Sequence, residues 1–240
     1  MELKEFEEIF STYLEKIKID LEKGQIEQFY NYMKLLIEWN EKINLTAITE
    51  PKEVIIKHFI DSLTIAKFIP QEATLVDMGT GAGFPGIPLK IYRKDVKITL
   101  VDSLNKRIKF LDEVIQKLNL KQIETIHARA EEFGKSSKYR ERFDIATSRA
   151  VANLATLSEY LVPLVKVTGK CICMKGPDIE GELQSGKKAI KVLGGNVSKV
   201  DSFELPNTDI KRTILIVDKV EKTPLKYPRK PGMPAKEPIV

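Results

Sequence analysis

The stretch TLVDMGTGAGFPGIPL, residues 74–89, constrains this chain more than any other. Its apolar start reads as a β-strand that ends at Asp77, and the four glycines and two prolines that follow read as a tight turn into a helix. Glycines at such a turn let the backbone come close to a ligand, and the next helix offers unpaired N–H groups to it. Two fingerprints overlap here: G-x-G-x-G from Gly79 and G-x-G-x-x-G from Gly81. The second, with Asp102 about twenty residues on, has the spacing of a dinucleotide-binding turn built on Gly81, Gly83 and Gly86.

Asp77 separates the two. A pyrophosphate would pass close to this strand-end carboxylate, and like charges in a desolvated cleft cost several kcal/mol. A cofactor with cationic groups and no phosphate removes the conflict, and S-adenosylmethionine carries a sulfonium and an ammonium beside its carboxylate. On this reading Gly79, Gly81 and Gly83 hold the methyl donor and Asp77 favours its positive methionine end. Asp102, with Ser103 after it, lies where ribose hydroxyls would donate, while Gly86 joins Pro85 and Pro88 in a packing turn.

The surroundings of the turn give the fold class. Residues 1–72 carry only helical periodicity, with Phe6, Phe10, Tyr13 and Ile17 on one face and Ile26, Phe29, Tyr30, Met33 and Ile37 on another. A further helix is expected from Pro51 to Ile69, ended by Pro70. From residue 73 short apolar strands, ATLVD, KITLVD, IETIHA, FDIATSRA and VTGKCICMKG, alternate with helical segments, which implies a doubly wound parallel sheet. The last two strands, NVSKVDSFEL and IKRTILIVDKV, are separated only by PNTD, too short for a crossover, and should form an antiparallel hairpin at one edge. The expected organisation is a helical region (1–72), an α/β domain (73–221) and an arm (222–240) with five prolines and five basic residues, unsuited to a regular helix. That arm reads either as an ordered segment touching an anionic partner or as a frayed terminus.

Charge is unevenly spread. Residues 1–72 hold 9 Lys/Arg against 14 Asp/Glu, and residues 73–240 hold 30 against 20. The basic excess accompanies the glycine turn and suits either a nucleic-acid partner or a solvated lysine-rich surface. No apolar run is long enough to span a membrane and the acidic N-terminus does not resemble a signal peptide, so a cytoplasmic, monomeric protein is expected. Cys171 and Cys173 are read as buried reduced thiols on opposite faces of a strand, unable to bridge, and no metal site is expected.

Several blocks taken together, VDMGTGAGFPGIPL, LVDSLNKRIKFL, HARAEEF, ATSRAVA, WNEKINLTAI, HFIDSL and YPRKPGMPAKEPI, resemble the ribosomal RNA small subunit methyltransferase G family, also called glucose-inhibited division protein B. The resemblance runs nearly end to end. It implies a class I S-adenosylmethionine-dependent methyltransferase fold, Rossmann-like and seven-stranded, behind a helical N-terminal region. It also implies methyl transfer to N7 of one guanine in 16S ribosomal RNA, or in the small-subunit particle that contains it. Carried over, Gly79 and Phe84 contact the cofactor, Ala130 and Glu131 flank its adenine, and Arg149 lies beside the reaction centre.

Guanine N7 presents a lone pair and has no proton to lose, so the reaction needs alignment more than a general base. The sequence agrees: it holds neither an Asn/Asp-Pro-Pro-aromatic block nor a Pro-Cys nucleophile, and no residue is assigned as an acid or base. Arg149 is the positioning candidate, for the methionine carboxylate or the guanine O6 edge. Arg129, Lys175, Arg229 and Lys230 are candidates for RNA phosphates, against the plainer reading of solvated surface charge. His58 and His127 are read as structural, and Trp39 as a core anchor. A small-molecule methyltransferase and a catalytically silent RNA-binding adaptor are the competing functions.

Overall fold

The computed structural model describes residues 1–239. Helix α1 (Leu3–Lys16) buries Phe6, Phe10, Tyr13 and Leu14 on the face the periodicity marks out. Helix α2 (Lys23–Ile43) opens with a capping box in which Glu22 and Gln25 each bond the other's backbone N–H, satisfying donors that a helix start leaves free. It ends at Asn44, whose φ of 47° is the left-handed stop that Asn tolerates. Next comes α3 (Pro51–Val54), with proline in its first turn and the Glu50 carboxylate capping Lys52 and Glu53 N–H.

The expected single helix over 51–69 is broken in two ways. A π-helical turn occupies Ile55–Ile60 before α4 (Asp61–Leu63), and the helix stops there instead of at Ile69. The Thr64 hydroxyl bonds back to the Asp61 carbonyl, competing with the helical ladder, and a separate 3₁₀ turn follows at Ala66–Phe68.

The α/β part runs β1 (Thr74–Met78), α5 (Gly86–Tyr92), β2 (Lys97–Asp102), α6 (Asn105–Lys117), β3 (Ile123–His127), α7 (Ala130–Lys135), β4 (Phe143–Arg149), α8 (Leu154–Leu161), β5 (Val165–Lys175), α9 (Glu180–Val192), β6 (Gly195–Glu204) and β7 (Lys211–Lys219). The strands form one seven-stranded sheet in the order β3-β2-β1-β4-β5-β7-β6. Strands β1 to β5 are parallel, and β7 lies antiparallel between β5 and the edge strand β6, as the short connection requires. The order reverses at β1, between β2 and β4, so a ligand crevice is expected beyond the C-terminal ends of β1 and β4.

Two apolar cores cover the two faces of the sheet. One face of β5 contributes Ile172 and Met174 to the core that also contains Phe6, Phe29, Tyr32, Phe59 and Phe110. The other contributes Cys171 and Cys173, packed with Val76, Leu157 and Val217. This corrects the expectation for the cysteines: two residues apart on a strand share a face, and both thiols are free and buried on the same side. The helical region adds its side chains directly to the sheet's core. Tyr32 packs 5.5 Å from Phe59 and 5.4 Å from Phe84, ring to ring.

The C-terminal arm is laid against α7 and α8, with Tyr227 and Pro228 buried. Arg140 fastens it, donating to the carbonyls of Thr223 and Tyr227 at 2.7 Å each. Within the arm, whose prolines leave no room for a regular helix, a single turn forms as α10 (Met233–Lys236), where Pro234 occupies the first turn and loses no bond.

Candidate active site

A cavity of about 940 Å³ opens at the predicted crevice, walled by the glycine turn, by the segment after β4 and by His58 and Asp61 of the helical region. A smaller one, about 340 Å³, adjoins it and shares Gly79, Asp102, Ser103 and Val151 with it. Arg129, Ala130 and Glu131 line this second cavity.

The turn is held from three sides. Gly79 and Thr80 N–H donate to the Val101 carbonyl at 2.8 and 3.1 Å. Gly79, Gly81 and Gly83 have φ of 69°, 62° and 96°, conformations that side chains resist. From the helical region, the Tyr32 hydroxyl donates to the Ala82 carbonyl.

Asp77 departs from its expected place. It is fully buried and turned under the loop, where its Oδ2 accepts from Thr80 Oγ1 at 2.7 Å and Gly86 N at 2.9 Å, and it is absent from the cavity wall. Burial pushes its carboxyl up to about 6, partly offset by those two hydrogen bonds. Asp77 therefore shapes the turn; it does not face a methionine end. A Cβ on Gly86 would lie 2.3 Å from Leu100 Cδ2, so glycine there is a packing requirement.

Asp102 does line both cavities, at 2% exposure. Its Oδ2 accepts from Gly81 N at 3.0 Å and Arg107 Nη1 at 3.2 Å, and its Oδ1 from Leu104 N at 2.9 Å. A carboxylate has about four acceptor positions, so capacity for a further donor remains.

Arg149, the last residue of β4, reaches into the helical region. Its Nη1 donates to the Lys57 carbonyl at 3.1 Å and to Asp61 Oδ2 at 3.2 Å, and its guanidinium stands 5.0 Å from the centre of the Phe84 ring. Its Nη2 meets His58 Nδ1 at 3.2 Å, which makes Nδ1 the acceptor and leaves the proton on Nε2, 3.0 Å from Thr46 Oγ1. Burial and then the Arg149 charge hold His58 down at about 3, so it is neutral. Asp61 also accepts from Arg212 Nε of β7 at 3.1 Å, bridging two guanidiniums.

Of the four basic residues expected at RNA phosphates, two already have anionic partners. Lys175 donates to Glu182 at 2.6 Å and Arg229 to Glu159 at 2.6 Å, whereas Arg129 and Lys230 are exposed near the smaller cavity and at the arm. His127 is exposed, with Nε2 3.0 Å from the Ser103 carbonyl, and Trp39 packs on Phe110.

Sequence reasoning missed Tyr32, Asp61, Arg107 and Arg212. Asp61 and Arg107 sit inside blocks that carried the resemblance, HFIDSL and LVDSLNKR; Arg107 follows the expected site residue Asp102 closely, whereas the near neighbour of Asp61 is His58, which the sequence presents as structural. Tyr32 and Arg212 lie in ordinary helix and strand patterns that give no such signal.

A family model described as GidB, rRNA small subunit methyltransferase G, matches residues 25–213. The chain belongs to this family. It is 51% identical to the ribosomal RNA small subunit methyltransferase G of Alkaliphilus oremlandii, covering 100% of both chains. With the enzyme of the same name from Desulforamulus reducens it shares 53% identity, over 93% of this chain and 94% of that one. Among solved structures, a SAM-dependent methyltransferase from Aquifex aeolicus superposes with a TM-score of 0.55 at 16% identity, over 72% of this chain and 96% of that one. That likeness shows the class I methyltransferase fold. The helical region contributes to the crevice beside the glycine turn, with His58 and Asp61 in the wall of the larger cavity and Tyr32 bonded to the turn itself.

Proposed function

We propose that this methyltransferase transfers a methyl group from S-adenosylmethionine to N7 of a guanine in the 16S RNA of the small ribosomal subunit. The observation that carries the cofactor assignment is the pairing of an open glycine turn with Asp102 across the two joined cavities. Space beside Gly81 is clear, since a Cβ there would meet nothing within 4 Å, so a ligand can approach the backbone. The residues present fit the group, with one correction to the expected set: Gly79 and Gly81 offer that backbone, Asp102 an acceptor for ribose hydroxyls, and Ala130 and Glu131 a wall for adenine, whereas Gly83 lies outside both cavity walls, close-packed on Tyr32, Ile87 and Leu111. Bound there, S-adenosylmethionine supplies an electrophilic methyl on sulfur.

The protein's own contribution is alignment. His58 is neutral but spends its Nδ1 lone pair on Arg149, and Asp77 lies beneath the loop, so neither is placed to take a proton. This suits a nucleophile that already has its lone pair free. Arg149 and Arg212 bring positive charge to the larger cavity, where a guanine O6 or a phosphate can accept from them. Arg129, beside the smaller cavity, and Lys230, on the arm, are exposed and have no ion-pair partner among the described residues, so they are offered to the RNA backbone.

The test is methylation of naked 16S RNA and of assembled small subunits, followed by mapping of the modified base. A single N7-methylguanine is the expected product. Activity on small molecules with none on RNA would refute the assignment, and binding of RNA without any transfer would leave an adaptor.

A further inference from the structure

The C-terminal arm enters the smaller cavity. Gly232 is part of its wall, and the Gly232 N–H donates to Glu131 Oε1 at 2.8 Å. Glu131 is buried at 6% exposure, and among the described residues this N–H is the hydrogen-bond donor found for its side chain. A buried carboxylate with one oxygen fixed by a backbone N–H presents the other in a defined direction.

What holds Gly232 in place is a second buried carboxylate. Glu159 of α8 has 0% exposure and grips Arg229, accepting from its backbone N at 2.6 Å, from Nε at 3.0 and 3.1 Å and from Nη2 at 2.6 Å. One turn earlier in α8, Thr156 Oγ1 donates to the Pro234 carbonyl at 3.0 Å. Gly232 is therefore pinned on both sides to the same face of α8, and its φ of 84° turns the chain inward between the two pins. A multidentate buried pair of this kind fixes geometry more than it adds stability.

We infer that the arm is a built part of the cofactor site: Glu159 and Arg229 are positioning residues that fasten the chain so that Gly232 orients Glu131 toward the purine end of the methyl donor. This rests on the assignment of the two cavities to S-adenosylmethionine. Glu131 set in this way accepts from an exocyclic amino group and opposes a carbonyl at the same place, so the arm makes the site selective for adenine over a 6-oxopurine.

The experiment compares two ligands on three proteins. S-adenosylhomocysteine and S-inosylhomocysteine differ at position 6, where an amino group is replaced by a carbonyl, and at the adjoining N1, which gains a hydrogen and turns from acceptor to donor. Their affinities are measured by titration calorimetry on the full chain, on Arg229→Ala, and on a chain ending at Pro228 that also carries Glu159→Gln so that the buried Glu159 charge is not left without Arg229. The shortened chain keeps Tyr227 and the Arg140 contacts, and Arg229→Ala provides the test if that chain does not fold. The full chain should prefer the adenosyl ligand about tenfold or more, as expected for a hydrogen bond to a charged group. In the variants the preference should fall severalfold while affinity for the inosyl ligand stays near that of the full chain. Equal weakening of both ligands, or an unchanged preference, overturns the inference and leaves the arm a structural brace. Absence of S-adenosylhomocysteine binding by the full chain would instead overturn the cofactor assignment, and this inference with it.

Discussion

At Asp102 three protein donors hold the carboxylate at the seam of the two cavities, so its remaining acceptor capacity is aimed before any ligand arrives. Asp102→Ala should weaken S-adenosylhomocysteine binding by about 1–3 kcal/mol, read by calorimetry, and unchanged affinity would remove Asp102 from the cofactor site. Asp77 and His58 lend themselves to a pH test because their shifts oppose each other. Asp77 is raised to about 6, so the folded state holds a proton that the unfolded chain has lost, and stability falls as pH rises from about 4 to 6. His58 is lowered to about 3, so the unfolded chain holds the extra proton, and stability falls as pH drops from about 6.5 toward 3. Urea midpoints measured from pH 4 to 6.5 should show Asp77→Asn gaining on the parent as pH rises, by up to roughly 3 kcal/mol, and His58→Gln gaining as pH falls. Parallel curves for parent and variants would contradict both shifts. The difference between Asp102 and Asp77 also marks what the sequence reveals at this scale. Motif spacing located both acids at strand ends, but whether a strand-end side chain points into the crevice or under the turn depends on the backbone N–H of Gly86, nine residues on, which turns back to meet Asp77.

Elements that look independent in the sequence are tied together at one carboxylate. Asp61, from α4, accepts from Arg149 of β4 and Arg212 of β7, and its other oxygen is buried without a partner among the described residues. The π-helical turn just before it brings the Lys57 carbonyl and the His58 ring to the same guanidinium, in keeping with the tendency of such turns to occur at functional sites. Removing one partner of a buried ion pair leaves the other uncompensated, so Asp61→Ala should cost about 3–5 kcal/mol in urea unfolding, and Asp61→Asn, which keeps an acceptor, clearly less. A loss under 1 kcal/mol for Asp61→Ala would mean that solvent already screens the two arginines. Neither the π turn nor this junction was legible beforehand. Helical periodicity over 51–69 is the same whether one turn is widened or not, and Arg212 sits on a strand whose alternation describes burial, not a partner 151 positions away in sequence. The edge hairpin, by contrast, was legible because PNTD is physically too short for anything but an antiparallel return.

Over the whole molecule, alternating strands and helices fixed the sheet's class, and the shift from helical to alternating pattern near residue 73 suggested a boundary between two parts. The packing does not respect that boundary. Gln25 Nε2 donates to the Ile91 carbonyl at 2.6 Å and Gln28 Nε2 to the Leu118 carbonyl at 2.8 Å, so α2 satisfies the ends of two helices of the α/β part. Phe84 and Phe110 find aromatic neighbours in α2 and the turn after α3, namely Tyr32, Trp39 and Phe59, within a core shared by both parts. Periodicity shows which face of a helix is buried but not what it is buried against, which is why the helical region reads as an appendage until its contacts are seen. A shared core implies that neither part is stable alone. The single tryptophan provides the measurement, since Trp39 of α2 packs 5.6 Å from the ring of Phe110 in α6 and so reports on the junction itself. Urea unfolding followed by Trp39 fluorescence and by far-ultraviolet circular dichroism should give one coincident transition. If the fluorescence change came at lower urea, with the helical signal of the α/β part persisting, the helical region would be a separate domain docked on the sheet. In that case Tyr32, His58 and Asp61 could leave the site without unfolding it.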